Sequence, residues 1–242
     1  MRVSRLYVVA SLNVGGRIEL DEDAAHYVRS VLRLKQDQSI VLFNGEGGEY
    51  LCRFSEVSRK TVRVEIEQFV ERNVESPLAI NLGLGISRGD RMDWAVQKAV
   101  ELGVTQLTPL VTERCVIKFN DDKKQQRLLH WQHIVQHAAE QSGRTYCPSI
   151  GEIVNLGDWV SGQQGLSVFL DPYAEQSLAD LKPENSRVTL LSGPEGGFSE
   201  QERQIAKAAG FVPVRMGARI LRTETAVLSA LTAVQTLWGD FR

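Results

Sequence analysis

The stretch that decides the fold is RVTLLSGPEGGFSEQERQIAKAAGFVPVRMGARILRTETA, residues 187–226. It contains two glycine-bearing loops, GPEGG at 193–197 and MGARILRTETA at 216–226. Each follows an apolar, β-branched run and precedes a helical pattern. Ser199 with Glu202 three residues on is a capping-box pair, so a helix starts there. Loops in this position lie at the carboxyl ends of strands, where open α/β sheets bind their ligands.

Spacing excludes three common loop chemistries. A phosphate loop needs GxxxxGK[ST], and no Lys-Ser/Thr follows here. A dinucleotide fingerprint needs GxGxxG, which is absent. A nucleophile elbow needs GxSxG, whereas Ser192 precedes the glycines. What remains is a loop in which Gly193, Gly196 and Gly197 allow close backbone approach and Pro194 adds stiffness, suited to a flat ligand. A plain strand–helix turn would use fewer glycines. In the second loop, Arg219 and Arg222 stand where a helix N-terminus prefers acidic residues. Their placement points to an anionic ligand or substrate, with Glu224 as counter-ion or cap. Surface arginines paired with Glu224 are the competing reading.

Outward from this stretch the chain alternates strands and helices, the pattern of an α/β sheet. LAINLGLGIS (78–87), QLTPLV (106–111) and LSVFLDP (166–172) read as strands. Asp90 is placed to cap a helix over 92–102, with Gly103 as its C′ glycine. A long helical pattern covers 124–142. His133 and His137 lie one turn apart on it, near His130 and Glu140. Without HExxH or a nearby cysteine, an ordinary amphipathic helix is expected there, and no metal site is assigned. The last segment, TAVLSALTAVQTLW, places Val227, Leu228, Leu231, Val234, Leu237 and Trp238 on one apolar stripe.

The first seventy residues differ. Leu6–Val9 and Arg17–Leu20 are short extended runs, and Asp21 or Asp23 can cap a helix over DAAHYVRSVLRL with Ala24, Val28, Val31 and Leu32 inward. Asn44-Gly45 between two strand-like runs predicts a tight hairpin. In TVRVEIEQF, Val62, Val64 and Ile66 alternate with Arg63, Glu65 and Glu67. Many short strands with one helix suggest a small β-barrel. Arg29, Arg33 and Lys35 are either a phosphate-contacting patch or, as the sequence alone favours, solvated cations near a helix C-terminus. The polar ERNVESP (71–77) marks the boundary, giving domains at 1–72 and 73–242.

Composition sets the outer limits. The 242 residues are 43% hydrophobic and 24% charged with a formal net charge of −2. No global basic field announces nucleic acid, so any such surface is a local patch. Cys52, Cys115 and Cys147 form no CxxC and are expected to be reduced thiols of a cytoplasmic protein. No run approaches a membrane span.

GPEGG followed by G-x-R-[IV]-L-R-T-E-T-A resembles the RsmE family of 16S ribosomal RNA methyltransferases, within the SPOUT superfamily. VLR (31–33), SRGD (87–90), QKAVELGV (97–104), TERC (112–115) and EQSGR (140–144) extend the likeness over nearly the whole chain. The resemblance implies an N-terminal PUA-like RNA-binding β-barrel and a C-terminal α/β domain with a trefoil knot. It further implies a homodimer, S-adenosylmethionine as cofactor, and 16S rRNA or the assembled small subunit as partner. The reaction would be methylation of N3 of a uridine. Leu170, Asp171, Ser192, Gly193, Glu195, Gly196, Gly197, Met216, Gly217, Ile220 and Leu221 match the cofactor pocket. Arg219, Arg222 and Glu224 are the catalytic candidates, with Glu195 as another possible base or orienting group. Arg5, Arg29, Arg33, Arg88, Lys98, Arg114 and Arg144 are the candidates for RNA phosphate contacts. A non-catalytic RNA-binding or assembly factor on the same fold is the second reading, against which the intact loops weigh. A generic nucleotide-binding protein is disfavoured by the missing phosphate motifs.

Overall fold

A computed structural model describes residues 3–115 and 121–241. The chain divides into two compact units, one of residues 1–75 and 139–147, the other of 76–138 and 148–242. A single cut after residue 72 therefore misses a returning segment. Within the first unit that segment is held by Arg144, which pairs with Glu75, and by Thr145 Oγ1, which donates to the Arg72 carbonyl at 3.1 Å. Tyr7 N–H also donates to Glu140 Oε1 at 2.9 Å. Partners this far apart in sequence leave no local signal.

The first unit is a five-stranded sheet in the order β1-β3-β4-β5-β2, with strands Arg5–Tyr7 (β1), Arg17–Glu19 (β2), Ser39–Phe43 (β3), Glu49–Val57 (β4) and Val62–Val70 (β5). Only β1–β3 is parallel. One core gathers Leu6, Val28, Ile40, Leu42, Phe54, Val64 and Ile66. The predicted alternation in β5 holds: Val62, Val64 and Ile66 are buried. On the outer face the charges pair across strands, Arg17 with Glu65, Arg63 with Glu19 and Glu56, Arg53 with Glu67. Cross-strand neighbours of opposite charge explain this pattern, which leaves that face electrically balanced.

Two local expectations change. Asp21 caps helix α1 (Glu22–His26), accepting from Ala24 N–H at 2.8 Å. The helix then winds as a π-helix over Tyr27–Leu32 and ends at Arg33 in the left-handed region, φ 53°. The wider turn rotates Val31 out to 59% exposure, while Ala25 and Val28 are buried. The Asn44-Gly45 turn is also longer than two residues. The connection runs from 44 to 48, and positive φ falls on Gly45, Gly47 and Gly48 and not on Asn44.

The second unit carries a parallel seven-stranded sheet. Its strands are Ala79–Gly85 (β6), Gln106–Val111 (β7), Ser149–Ile150 (β8), Val154–Asn155 (β9), Leu166–Leu170 (β10), Arg187–Ser192 (β11) and Val212–Val214 (β12). The order is β12-β10-β11-β6-β7-β8, with β9 also on β7. Helices Asp90–Glu101 (α2), Asp121–Ser142 (α3), Leu156–Val160 (α4), Glu200–Ala208 (α5) and Thr223–Trp238 (α6) complete it. β6 reads A-I-N-L-G-L-G because its two faces meet different neighbours. Leu82 and Leu84 are fully buried. On the other face, a Cβ on Gly83 would lie 2.5 Å from the Trp159 ring, and one on Gly85 2.6 Å from Pro194. Gly85 thus lets the 193–197 loop run directly across the strand end.

The α2 start corrects the expectation for Asp90, which lies inside the first turn while Gly89 occupies the cap position with φ 59°. On α6, Val227, Leu231 and Val234 are buried as the stripe requires, but so is Gln235, while Leu237 is 41% exposed. Gln235 is buried because it ties three segments: Ser76 Oγ donates to its Oε1 at 2.8 Å, and its Nε2 donates to the Leu102 carbonyl at 2.8 Å. On α3, His130 and Trp131 share the Asp93 carboxylate at 2.7 and 3.1 Å. Burial pushes the Cys52 thiol up to about 12 and Cys147 to about 11, so neither is a nucleophile at neutral pH.

Candidate active site

The carboxyl ends of three adjacent parallel strands, β12, β10 and β11, open into a cavity of about 540 Å³. Its walls come from 170–173 after β10, 192–198 after β11, and 214–223 between β12 and α6. This size falls within the range of small-molecule sites, roughly 300–1,000 Å³. Every cofactor candidate named from the sequence borders it: Leu170, Asp171, Ser192, Gly193, Glu195, Gly196, Gly197, Met216, Gly217, Ile220 and Leu221. Gly197 (φ 65°) and Gly217 (φ 78°) adopt the left-handed backbone conformation that favours glycine.

The glycine loop is fastened from outside. Glu195 Oε1 accepts from Arg88 N–H at 2.9 Å and from Arg91 Nη1 at 3.3 Å. The Gly196 carbonyl accepts from Arg114 Nη1 at 2.9 Å. Downstream, Ser199 and Glu202 form the predicted capping box, and the buried Glu202 also accepts from Glu113 N–H at 2.8 Å. SRGD and TERC are therefore anchors of the loop. Glu195, considered as a base, is occupied as a tie between two loops.

Six arginines border the cavity, and their partners divide them. Arg91 and Arg114 hold the glycine loop, and Arg203 Nε lies 3.3 Å from Asp171 Oδ2. Asp171 is 7% exposed, and its other oxygen accepts from Tyr173 N–H at 3.0 Å. Arg215, Arg219 and Arg222 are exposed, and no carboxylate pairs with them among the described residues. Three unpartnered cations on one eight-residue segment repel one another, and an anion at the mouth relieves that repulsion.

Other candidates fall elsewhere. Glu224 does not border the cavity. Helical winding puts Thr223 and Ala226 on the pocket side and turns Glu224 away, its Oε2 buried without a hydrogen-bond partner. It does not pair with Arg219 or Arg222. Arg5 and Arg144, expected at RNA phosphates, are ion-pair residues with side chains 8% and 6% exposed: Arg5 pairs with Glu49 and donates to the Arg144 carbonyl at 2.7 Å, and Arg144 pairs with Glu75. Lys98 is neutralised by Glu101 at 2.7 Å. Arg29 is half-buried and donates to the Ser58 carbonyl at 3.3 Å, while Arg33 and Arg88 are exposed. Sequence reasoning missed Arg91, Arg203, Arg215 and Tyr173 at the pocket. The one available signal was Asp171 itself, since a buried carboxylate demands a cation.

A cavity at strand ends, lined by glycine loops and by arginines that no described carboxylate pairs, suits a small ligand beside an anionic one. Comparison gives the class: the RNA methyltransferase domain family matches residues 74–235 and the RNA methyltransferase PUA domain family matches 20–67. The chain is 34% identical to the ribosomal RNA small subunit methyltransferase E of Buchnera aphidicola subsp. Schizaphis graminum, over 99% of this chain and 98% of that one. Among solved structures, a Neisseria gonorrhoeae ribosomal RNA small subunit methyltransferase E bound to S-adenosyl methionine is 37% identical with TM-score 0.93, covering both chains fully. A Legionella pneumophila protein solved with bound SAM is 38% identical with TM-score 0.97, again over both whole chains. This chain belongs to the ribosomal RNA small subunit methyltransferase E family and is a methyltransferase; its first unit is PUA-like.

Proposed function

We propose that this protein transfers a methyl group from S-adenosylmethionine to N3 of a specific uridine in 16S rRNA. The observation that carries the reading is the pairing of two features in one cavity: backbone loops at 192–197 and 216–221, and three unpartnered arginines on 215–222. The donor fits the loops on chemical grounds. Its sulfonium is cationic, so it is better held by backbone than by guanidinium groups, and the paired Arg91, Arg114 and Arg203 are already committed. When bound, S-adenosylmethionine supplies an electrophilic methyl group.

The chain's own residues then have to prepare the nucleophile. N3 of uridine carries an imide proton at neutral pH and gains nucleophilicity as that proton passes to water. The negative charge that develops spreads onto O2 and O4. Arg219 and Arg222 at the cavity wall stabilise it electrostatically. Arg222 is also the N-cap of α6, and no side chain caps that helix, so its first N–H groups add positive potential at the same end. Glu224, which does not border the cavity, is not placed as the base. N3 lies on the Watson–Crick edge, so the target base must be unpaired or flipped. Positioning in the pocket supplies much of the remaining rate.

The same reading gives residues 1–72 the role of an RNA-binding PUA-like barrel and 73–242 that of a trefoil-knotted methyltransferase domain. Exposed Arg33, Arg88 and Arg114, with half-buried Arg29, are its RNA-phosphate residues. It also takes the protein to be a cytoplasmic homodimer; the exposed Leu237 and Phe241 near the end of α6 support a second copy there. Mass spectrometry of ribosomal RNA from cells lacking the protein tests the central proposal. One uridine missing its N3 methyl is expected, and an unchanged methylation pattern refutes it. Calorimetry with S-adenosylmethionine tests the cofactor separately.

A further inference from the structure

We infer that Tyr173 and Arg215 form a subsite for one nucleotide of the RNA strand beside the reacting uridine, the base stacking on the ring and the phosphate pairing with the guanidinium. The inference rests on the RNA-methylation reading above and adds two residues to it.

Tyr173 is 73% exposed at the cavity rim, yet it is held in place. Its N–H donates to Asp171 Oδ1, and the Arg203 guanidinium carbon sits 5.4 Å from the ring centroid. Arg203 is itself fixed by Asp171 and only 22% exposed. These contacts orient the ring and not the hydroxyl, which makes no hydrogen bond among the described residues. A pinned aromatic face open to solvent costs apolar exposure with no return to the fold. It is the arrangement a stacking platform for a nucleobase requires.

Arg215 follows Val214, which pairs with Leu170 on the strand that leads to Tyr173. Its backbone N–H donates to the Gln176 carbonyl at 2.9 Å, which ties the start of the 215–222 segment to the loop carrying Tyr173. Its side chain borders the same cavity, is exposed, and has no carboxylate partner among the described residues. An aromatic face and an unpaired guanidinium on two joined loops match the two halves of a nucleotide. The methyl donor also has a flat ring and a carboxylate. Donor affinity measured beside RNA affinity separates the two.

The test uses the full chain, 16S rRNA or isolated small subunits, and S-adenosylmethionine. Tyr173→Ala should raise the KM for RNA about tenfold, as loss of one stacked base does, without altering its salt dependence. Tyr173→Phe keeps the ring and should restore most of that loss. Arg215→Gln should raise the KM for RNA and lower the slope of log KM against log salt by about 0.7, the value for one phosphate contact on a single strand. Calorimetric affinity for S-adenosylmethionine should stay within about twofold in all three. Unchanged RNA KM in the Ala and Gln variants, or a fall in donor affinity instead, overturns the subsite. So does dissociation of a dimer on Tyr173→Ala, which would assign the ring to subunit contact. Absence of methyl transfer by the unaltered protein overturns the underlying reading, whereas normal transfer with unmoved variants overturns only the subsite.

Discussion

Arg144 in the first unit and Arg222 at the cavity are the same residue type in opposite circumstances. Arg144 is 5% exposed and bound to Glu75; Arg222 is exposed and no carboxylate pairs with it among the described residues. The first unit repeats the paired condition across its surface, where Arg17, Arg53 and Arg63 each face a glutamate on a neighbouring strand. A paired arginine has given its charge to the fold, and an unpaired one keeps it for a ligand. The contrast explains how a chain of net charge −2 can still carry a cationic cavity mouth.

The contrast can be broken by experiment. Arg144→Ala leaves the half-buried Glu75 without its cation and should cost up to about 3–5 kcal/mol; chemical denaturation measures this, and a loss below about 1 kcal/mol would return Arg144 to the surface class. Arg222→Ala should lower methyl transfer about 10²–10³-fold, the usual effect of removing one donor that stabilises developing negative charge. Its melting temperature should stay unchanged, and full activity would remove the catalytic assignment. Gly85→Ala pushes a methyl group against Pro194 and should cost about 1–3 kcal/mol by overpacking. Because the glycine loop must move, donor affinity should fall in the same variant; stability loss with intact donor binding would show that the loop is not part of the cradle. Ser199→Ala removes the cap of α5 and should cost about 1 kcal/mol. Arg17→Ala breaks a pair that is exposed on both sides and should change stability by less than about 0.5 kcal/mol, with no effect on RNA affinity.

Much of the second unit was legible because its signals are local. Ser199 and Glu202 are three residues apart, and the capping box they form is the one expected. Leu170, Ser192 and Met216 mark loops that follow strands in the sequence, and they meet around one cavity. The π-helical winding that exposes Val31 was not legible, because no propensity distinguishes it from an α-helical turn. Nor was the burial of Gln235, whose partners Ser76 and Leu102 lie 159 and 133 residues away.

By itself the sequence determined the α/β character, the two glycine-bearing loops after strands, the absence of phosphate-loop motifs and the family. Those follow from periodicity, turn chemistry and motif spacing, which act over a few residues. Only the tertiary structure decided what each charge is for. Arg5 and Arg144 became fold residues, Arg91, Arg114 and Arg203 became supports of the pocket, and Arg215, Arg219 and Arg222 stayed unpaired at its mouth. An arginine's role depends on whether a carboxylate or a carbonyl lies within a few ångströms, and folding alone brings such partners together.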